Sequence, residues 1–280
     1  MTSTTPATSA TSTVAPAVSV TAVDKVFSTK AGEVTALTGI DLAVAPGEFV
    51  SLIGPSGCGK STLLRLIADL DAPSTGTVEV FGTSAHRARL DQKYGIAFQQ
   101  AGLLPWRTVA GNIALPLELA GAPSAERAAR VDELVALVGL GDFADRFPDQ
   151  LSGGMQQRVA IARALAKKPA LLLMDEPFGA LDEMTREYMQ TELLRIAADT
   201  GAAVVFVTHS IPEAVYLSDR VVVMSPRPGR IADIVTMNLG RTADRADDLR
   251  EDGAFFEMIT AVREALHGTP VSGARGVETR

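Results

Sequence analysis

No stretch of this 280-residue chain approaches the ~18–20 uninterrupted apolar residues that a membrane-spanning helix needs. The best runs, Leu171 to Met174 and Val204 to Val207, have the length of strands, so the chain is not expected to cross a bilayer by itself. Cysteine is nearly absent: Cys58 alone cannot close an intrachain disulfide, and nothing points to an oxidising compartment. Positive charge is in the minority, with 26 Lys and Arg against 33 Asp and Glu for a net charge of −7, which argues against a nucleic-acid partner. The first 18 residues, MTSTTPATSATSTVAPAV, lack both the basic start and the apolar run of a secretory signal. Their Thr, Ser, Ala and Pro read as a disordered tail over 1–18. No internal repeat interrupts the chain.

What is there is an ordinary globular composition, 46% hydrophobic and 21% charged, in a chain long enough for one large or two small domains. From Ser19 the pattern is β-like: Ile40, Leu42 and Val44 alternate with Asp41 and Ala43, and Ala45-Pro46-Gly47 closes the run as a turn. Phe49 to Ile53 is a short apolar run that enters a glycine-rich loop, and Ser61 to Leu70 has helical spacing. Thr77 to Phe81 and Tyr94 to Phe98 are further strand candidates. The character changes to helical over about 101–150, where Val131, Leu134, Val135 and Val138 fall at i, i+3, i+4 and i+7. Helices over Gly154 to Lys167 and Asp182 to Asp199 then lead to strands over Ala170 to Met174 and Ala203 to Thr208. Val221 to Met224 and Ile231 to Met237 read as two late strands, and a last helix carries Phe255, Met258, Ile259, Val262 and Leu266 on one face. This alternation predicts an α/β fold with a parallel sheet covered on both faces and ligands at the carboxyl ends of its strands.

Gly54-Pro55-Ser56-Gly57-Cys58-Gly59-Lys60-Ser61 fits G-x-x-x-x-G-K-[ST], between a strand and a helix as the mechanism of that motif requires. A tight loop with few side chains turns successive backbone N–H groups toward a polyphosphate. Lys60 adds a point charge for the β and γ phosphates, Ser61 a hydroxyl for Mg²⁺, and the following helix its positive end. By itself, a chance glycine-rich turn would satisfy the same pattern. A second part favours function: the apolar strand ending Leu173-Met174-Asp175-Glu176 has no structural need of two acids at its tip. In such sites the first acid, Asp175, holds the Mg²⁺ shell, and Glu176 orients or deprotonates a water for in-line attack on the γ-phosphorus.

Leu151-Ser152-Gly153-Gly154-Met155-Gln156-Gln157-Arg158, starting its Ser 23 residues before Asp175, closely resembles the signature of ATP-binding cassette (ABC) proteins. The resemblance runs from Ser19 to about Met237. It implies a phosphate-loop ATPase core with a mostly parallel sheet flanked by helices, an antiparallel β subdomain and a helical insert. The cassette domain would span 19–238, with its helical subdomain at about 101–150, and 239–280 would be a tail with one helix. Nucleotide contacts are implied for Gly54, Pro55, Ser56, Gly57, Cys58, Gly59, Lys60, Ser61 and Thr62. Ser152 is a good N-cap, and Gly153 and Gly154 leave N–H groups open at a helix start, a second phosphate cradle. In cassette proteins the signature of one subunit covers ATP at the phosphate loop of the other. The resemblance therefore implies a head-to-tail dimer with Ser152, Gly153 and Gly154 acting in trans.

Other positions follow the same likeness. Phe27 falls where an aromatic, more often Tyr, stacks on adenine, though a core Phe would look the same. Gln99 matches the glutamine that senses Mg²⁺ and the γ-phosphate, making Ser61, Gln99 and Asp175 the expected metal contacts. Asp182, in Gly179-Ala180-Leu181-Asp182, matches a contact to the opposite subunit and is equally a helix N-cap. His209 matches the histidine that touches the γ-phosphate and positions Glu176. Glu176, His209, Gln99 and Lys60 are thus the expected catalytic set, with ATP and Mg²⁺ as cofactors. Cys58 reads as a small buried filler.

The resemblance implies a job at the cytoplasmic face of a membrane, driving separate transmembrane permease subunits and, indirectly, serving a solute-binding protein. Gly102-Leu103-Leu104-Pro105-Trp106 is apolar enough to line a docking groove, while a lone Trp106 in the core is the plainer reading. That run and Ser225-Pro226-Arg227-Pro228-Gly229-Arg230-Ile231 resemble the importer subgroup for nitrate, sulfonate and taurine; the second stretch is otherwise a turn between strands. An acidic run near Asp247 to Asp252 reads as a solvated face. Rival functions are an exporter or lipoprotein-release ATPase, a soluble cassette of DNA repair or translation, and a small-molecule kinase. The 92 residues between Lys60 and Ser152 leave no room for the long coiled coil of DNA-repair members.

Overall fold

Alternating hydrophobic residues build the first sheet. In β1 (Val18–Thr29) and β2 (Gly32–Val44), Ile40, Leu42 and Val44 face inward while Asp41 and Ala43 stay exposed. Then follow β3 (Phe49–Ile53), α1 (Lys60–Ile67), β4 (Thr75–Val80), β5 (Thr83–Ser84), α2 (Ala85–Leu90) and β6 (Tyr94–Ala97). The middle of the chain forms α3 (Val109–Leu119), α4 (Ser124–Leu137) and α5 (Gly153–Leu165). The rest is β7 (Leu171–Asp175), α6 (Glu183–Thr200), β8 (Ala203–Val207), α7 (Ile211–Leu217), β9 (Arg220–Met224), β10 (Ile231–Thr236) and α8 (Gly253–His267). The computed structural model describes residues 15–30, 32–240 and 247–268.

An antiparallel sheet of order β2-β1-β4-β5 lies against a six-stranded sheet of order β10-β9-β3-β8-β7-β6. In the larger sheet all neighbours pair parallel except the edge pair β10–β9. Strands β3, β7 and β8 are buried along their whole length, which is why they read as unbroken apolar runs instead of alternating ones. One core joins the antiparallel sheet and α1 to one face of this sheet, through Leu37, Ile40, Leu63 and Val205. The other face carries α5, α6, α7, α8 and the helical insert, where Val131, Leu134, Val135 and Val138 are buried as their spacing predicts.

Several boundaries differ from the sequence reading. Most of the expected tail, residues 1–14, lies outside the described residues, but Ala17 and Val18 are fully buried. Ala17 N donates to Val44 O at 2.8 Å and its carbonyl accepts from Phe81 N at 3.1 Å, so pairing begins before Ser19. The helix over Ser61 to Leu70 stops at Ile67, because Asp69 takes a left-handed φ of 50°. Helix α2 is six residues long, too short to leave a periodic signal. Trp106 is 71% exposed, which overturns its reading as a core residue.

The C-terminal helix is no loose tail. Phe255, Ile259 and Val262 are buried in the same core as Tyr216, and Met258 and Leu266 pack against it. Within the acidic run, Asp252 caps α8 by accepting from Ala254 N at 2.9 Å, and Arg250 stacks 3.8 Å from the Tyr216 ring centroid. That run is therefore partly a structural joint, not only a solvated face.

Candidate functional site

Parallel register decides which side chains meet. Ala97 pairs with Met174, and Asp175 with Val207, so the residues just past the ends of β6, β7 and β8 stand in a row. Gln99, Glu176 and His209 occupy that row. Gln99 Nε2 donates to Glu176 Oε2 at 3.2 Å, and His209 Nδ1 lies 3.3 Å from the same oxygen. Glu176 itself sits at a left-handed φ of 46°, with its N–H held by Val207 O at 2.9 Å.

Strand β3 delivers the glycine loop to the same edge. The turn into α1 is made by Gly59 at φ 104°, a conformation that side-chain-bearing residues avoid. Lys60, only 7% exposed, donates from Nζ to the carbonyls of Gly54 at 2.8 Å and Pro55 at 3.0 Å. Ser61 Oγ donates to Asp175 Oδ1 at 2.9 Å, tying the loop to β7 across 114 positions of sequence. Burial raises the Asp175 carboxyl above the ordinary carboxylate range, against the lowering pull of the Ser61 hydrogen bond. Cys58 is buried, with its thiol pushed up by the same loss of water.

One cleft of about 370 Å³ gathers Phe27, Lys60, Ser61, Thr62, Gln99 and Glu176, with Ser56, Gly57 and Gly59 in its wall. Phe27 is part of this wall, with Lys25 Nζ 4.7 Å from its ring centroid. Asp175 stands behind Ser61 and His209 behind Glu176, through the bonds described above.

Gly54, Pro55 and Cys58 belong to the glycine loop without lining the cleft, and Ser152, Gly153, Gly154 and Asp182 stand apart from it. They gather elsewhere. Ser152 caps α5 by accepting from Met155 N at 3.3 Å, and Asp182 caps α6 by accepting from Thr185 N at 3.0 Å. A Cβ on Gly154 would stand 2.9 Å from the Ala180 carbonyl oxygen, so the two helix starts lie against each other.

Sequence reasoning missed three features of the site. Val34 and Ala36 line the cleft, as does Arg227, whose motif was read as a likeness to the importer subgroup or a turn between strands and not as part of the site. Behind His209, Thr208 Oγ1 donates to the buried carboxylate of Glu213 and accepts from Ser210 N at 3.0 Å. Gln190 Nε2 donates to Glu213 Oε1 at 3.0 Å, and Arg250 Nη2 to Gln190 Oε1 at 2.7 Å. This chain of bonds braces the backbone on both sides of His209. No local pattern announces it, because its members come from four separate elements.

The residues suit a magnesium nucleotide. Mg²⁺ prefers a few hard oxygens plus phosphate over an all-protein cage, and here one hydroxyl and one carboxylate meet. Among the described residues there is no cluster of three or more His, Cys, Asp or Glu to hold another metal. A phosphate loop joined to a strand-end acid, with a polarised second acid beside it, defines a phosphate-loop nucleoside triphosphatase.

The chain belongs to the ABC transporter family, whose pattern matches residues 37–179. It is 51% identical over 236 residues to an aliphatic sulfonates import ATP-binding protein of Xanthomonas axonopodis pv. citri, covering 84% of this chain and 92% of that one. A taurine import ATP-binding protein of Rhizobium johnstonii is 46% identical over 239 residues, covering 84% of this chain and 90% of that one. A bicarbonate transport ATP-binding protein of Synechocystis is 51% identical over 234 residues, 82% of this chain but 35% of that longer protein. Among solved structures, the dimeric ATP-binding cassette MJ0796 in a post-hydrolysis state with ADP and Pi is similar at a TM-score of 0.74 and 36% identity, over 79% of this chain and 99% of that one. The fold expected from the phosphate loop and the signature is thus the observed one.

Proposed function

We propose that this chain is the ATP-hydrolysing subunit of an importer for a small solute of the sulfonate, taurine or bicarbonate kind. The single observation that carries the ATPase part is the Glu176 carboxylate, set between Gln99 and His209 at the mouth of the phosphate-loop cleft. The importer part rests on relatives named for import at 46–51% identity.

In this reading Phe27 stacks on adenine, and the N–H groups of the loop from Gly54 to Gly59 cradle the β phosphate. Lys60 turns from the loop carbonyls to the β and γ phosphates, and Thr62 lies at the start of α1 near the phosphate chain. Ser61, Asp175 and Gln99 hold Mg²⁺, which when bound neutralises charge that develops on the phosphate oxygens. Glu176 takes a proton from the attacking water as the γ phosphorus–oxygen bond to ADP breaks, and His209 fixes the carboxylate in place. Ser152, Gly153, Gly154 and Asp182 of a second copy complete the pocket, giving a head-to-tail dimer. The dimeric form of the similar cassette supports this arrangement.

Permease contact falls to an apolar groove of about 380 Å³, between the β6 edge and the helical insert, where Tyr94, Ile96, Leu115 and Leu119 meet. Trp106, held outside the core, is a second apolar candidate for that contact. Among the described residues no helix is long and apolar enough to cross a membrane. A peripheral place on the cytoplasmic face of the membrane, bound through the permease, follows from this reading.

The test is turnover with a direct readout of product. Purified chain should release one inorganic phosphate per ADP formed, with no phosphorylated acceptor, and Lys60→Ala should weaken ATP binding on the order of 100-fold. Transfer of the γ phosphate to a small molecule would point to a kinase. Isolation with a permease and a solute-binding protein supports import, and isolation with a different membrane partner would overturn it.

A further inference from the structure

Neighbouring antiparallel strands need only a two-residue turn. Strands β9 and β10 are instead joined by the longer segment from Ser225 to Arg230. Its base is closed by Ser225 N donating to Arg230 O at 2.9 Å and by Arg230 N donating to Ser225 Oγ at 3.0 Å. From there the segment leaves its own hairpin and docks on the nucleotide site. Gly229 N donates to Ala36 O at 2.9 Å and Gly229 O accepts from Thr38 N at 2.9 Å, so β2 holds it on one side. On the other side it meets the phosphate loop: a Cβ on Gly229 would lie 1.9 Å from the Cys58 carbonyl oxygen, an approach only glycine permits.

These anchors carry Arg227, two positions away, into the cleft. Its side chain lines the same space as Phe27, Ala36, Gly57 and Lys60. Pro226 and Pro228 on either side fix their own φ angles and limit the freedom the segment would lose on binding. Among the described residues the guanidinium has neither a hydrogen bond nor an ion pair, while every acid on the cleft wall is Glu176, already engaged by Gln99 and His209. A second cation held near Lys60 without a carboxylate suits an anion larger in charge than Lys60 alone can balance. Arginine presents a planar fork that matches phosphate oxygens.

We propose that Arg227 is a nucleotide-binding residue, its guanidinium pairing with the phosphate chain of the bound nucleotide from the segment between β9 and β10. The inference rests on the nucleotide reading of the cleft and deepens it. Because Phe27 and Ala36 place this end of the cleft on the base side, the contact serves ADP as well as ATP. It makes the β9–β10 connection a part of the site instead of a passive turn.

Titration of the full chain with Mg-ATP and Mg-ADP tests it. Arg227→Ala should weaken both nucleotides about tenfold, and Arg227→Lys should recover part of the loss by keeping the charge without the fork. Added salt should narrow the gap between Arg227→Ala and the parent chain. Since Arg227 is exposed, the thermal midpoint without nucleotide should not move. Binding by Arg227→Ala within twofold of the parent overturns the proposal, and so does binding by Arg227→Lys no tighter than by Arg227→Ala. Lys60→Ala in the same titration separates the two readings: normal binding by that variant would remove the nucleotide site itself, whatever Arg227 does.

Discussion

Glu176→Gln is expected to bind ATP yet turn it over on the order of 10²–10⁴-fold more slowly, and to elute as a dimer only with ATP and Mg²⁺. The amide has the size of the carboxylate and leaves the loop, Lys60 and Ser61–Asp175 untouched. What it removes is the one acceptor that faces both Gln99 Nε2 and His209 Nδ1 and can take a proton from water. With the cleavage step lost and both phosphate cradles kept, the closed form accumulates. Light scattering behind a sizing column reads the mass directly. A variant that stays monomeric at saturating ATP and Mg²⁺ would count against sharing of the pocket between copies.

Ser152→Arg should lose nearly all turnover, about 10³-fold, while its affinity for ATP stays within about twofold. Ser152 is exposed at the start of α5 and takes no part in the cleft that holds Lys60. Arginine there removes the cap, a change of about 1 kcal/mol in stability, too small to unfold the chain. In the proposed dimer its larger effect is to put a long cation where a neighbouring copy's nucleotide would approach Gly153 and Gly154. Binding is measured by titration and turnover by phosphate release. Lost ATP binding in this variant would mean that the octet serves the nucleotide of its own chain.

Much of this site could be read in the sequence because its parts are local. The glycine loop, the acids at the end of β7 and the serine start of α5 each sit within a few residues, and each has a backbone reason for its residue types. Register then brings Gln99, Glu176 and His209 together, as the resemblance to cassette proteins implied. The residues that escaped notice are held by distant partners. Arg227 reaches the cleft only because Gly229 docks on Ala36 and Cys58. Glu213 matters through Thr208, Gln190 and Arg250, none of which carries a sign of that role. Trp106 was ambiguous for the opposite reason: hydrophobicity ranks it for the interior, and only the fold shows it in solvent. The helix after Gly253 was legible as a helix, but whether its apolar face met this domain or another molecule depended on the groove beside Tyr216.

The distance between the serine cap of α5 and the lysine cleft has a genetic consequence. If two copies share each pocket as proposed, two defective versions of this polypeptide, one spoiled at Lys60 and the other at Ser152, fail in different halves of it. Mixed together, they should form pairs in which one of the two pockets is assembled entirely from sound halves. Activity should then reappear from two inactive preparations, whereas a pocket confined to one molecule could never be rescued that way.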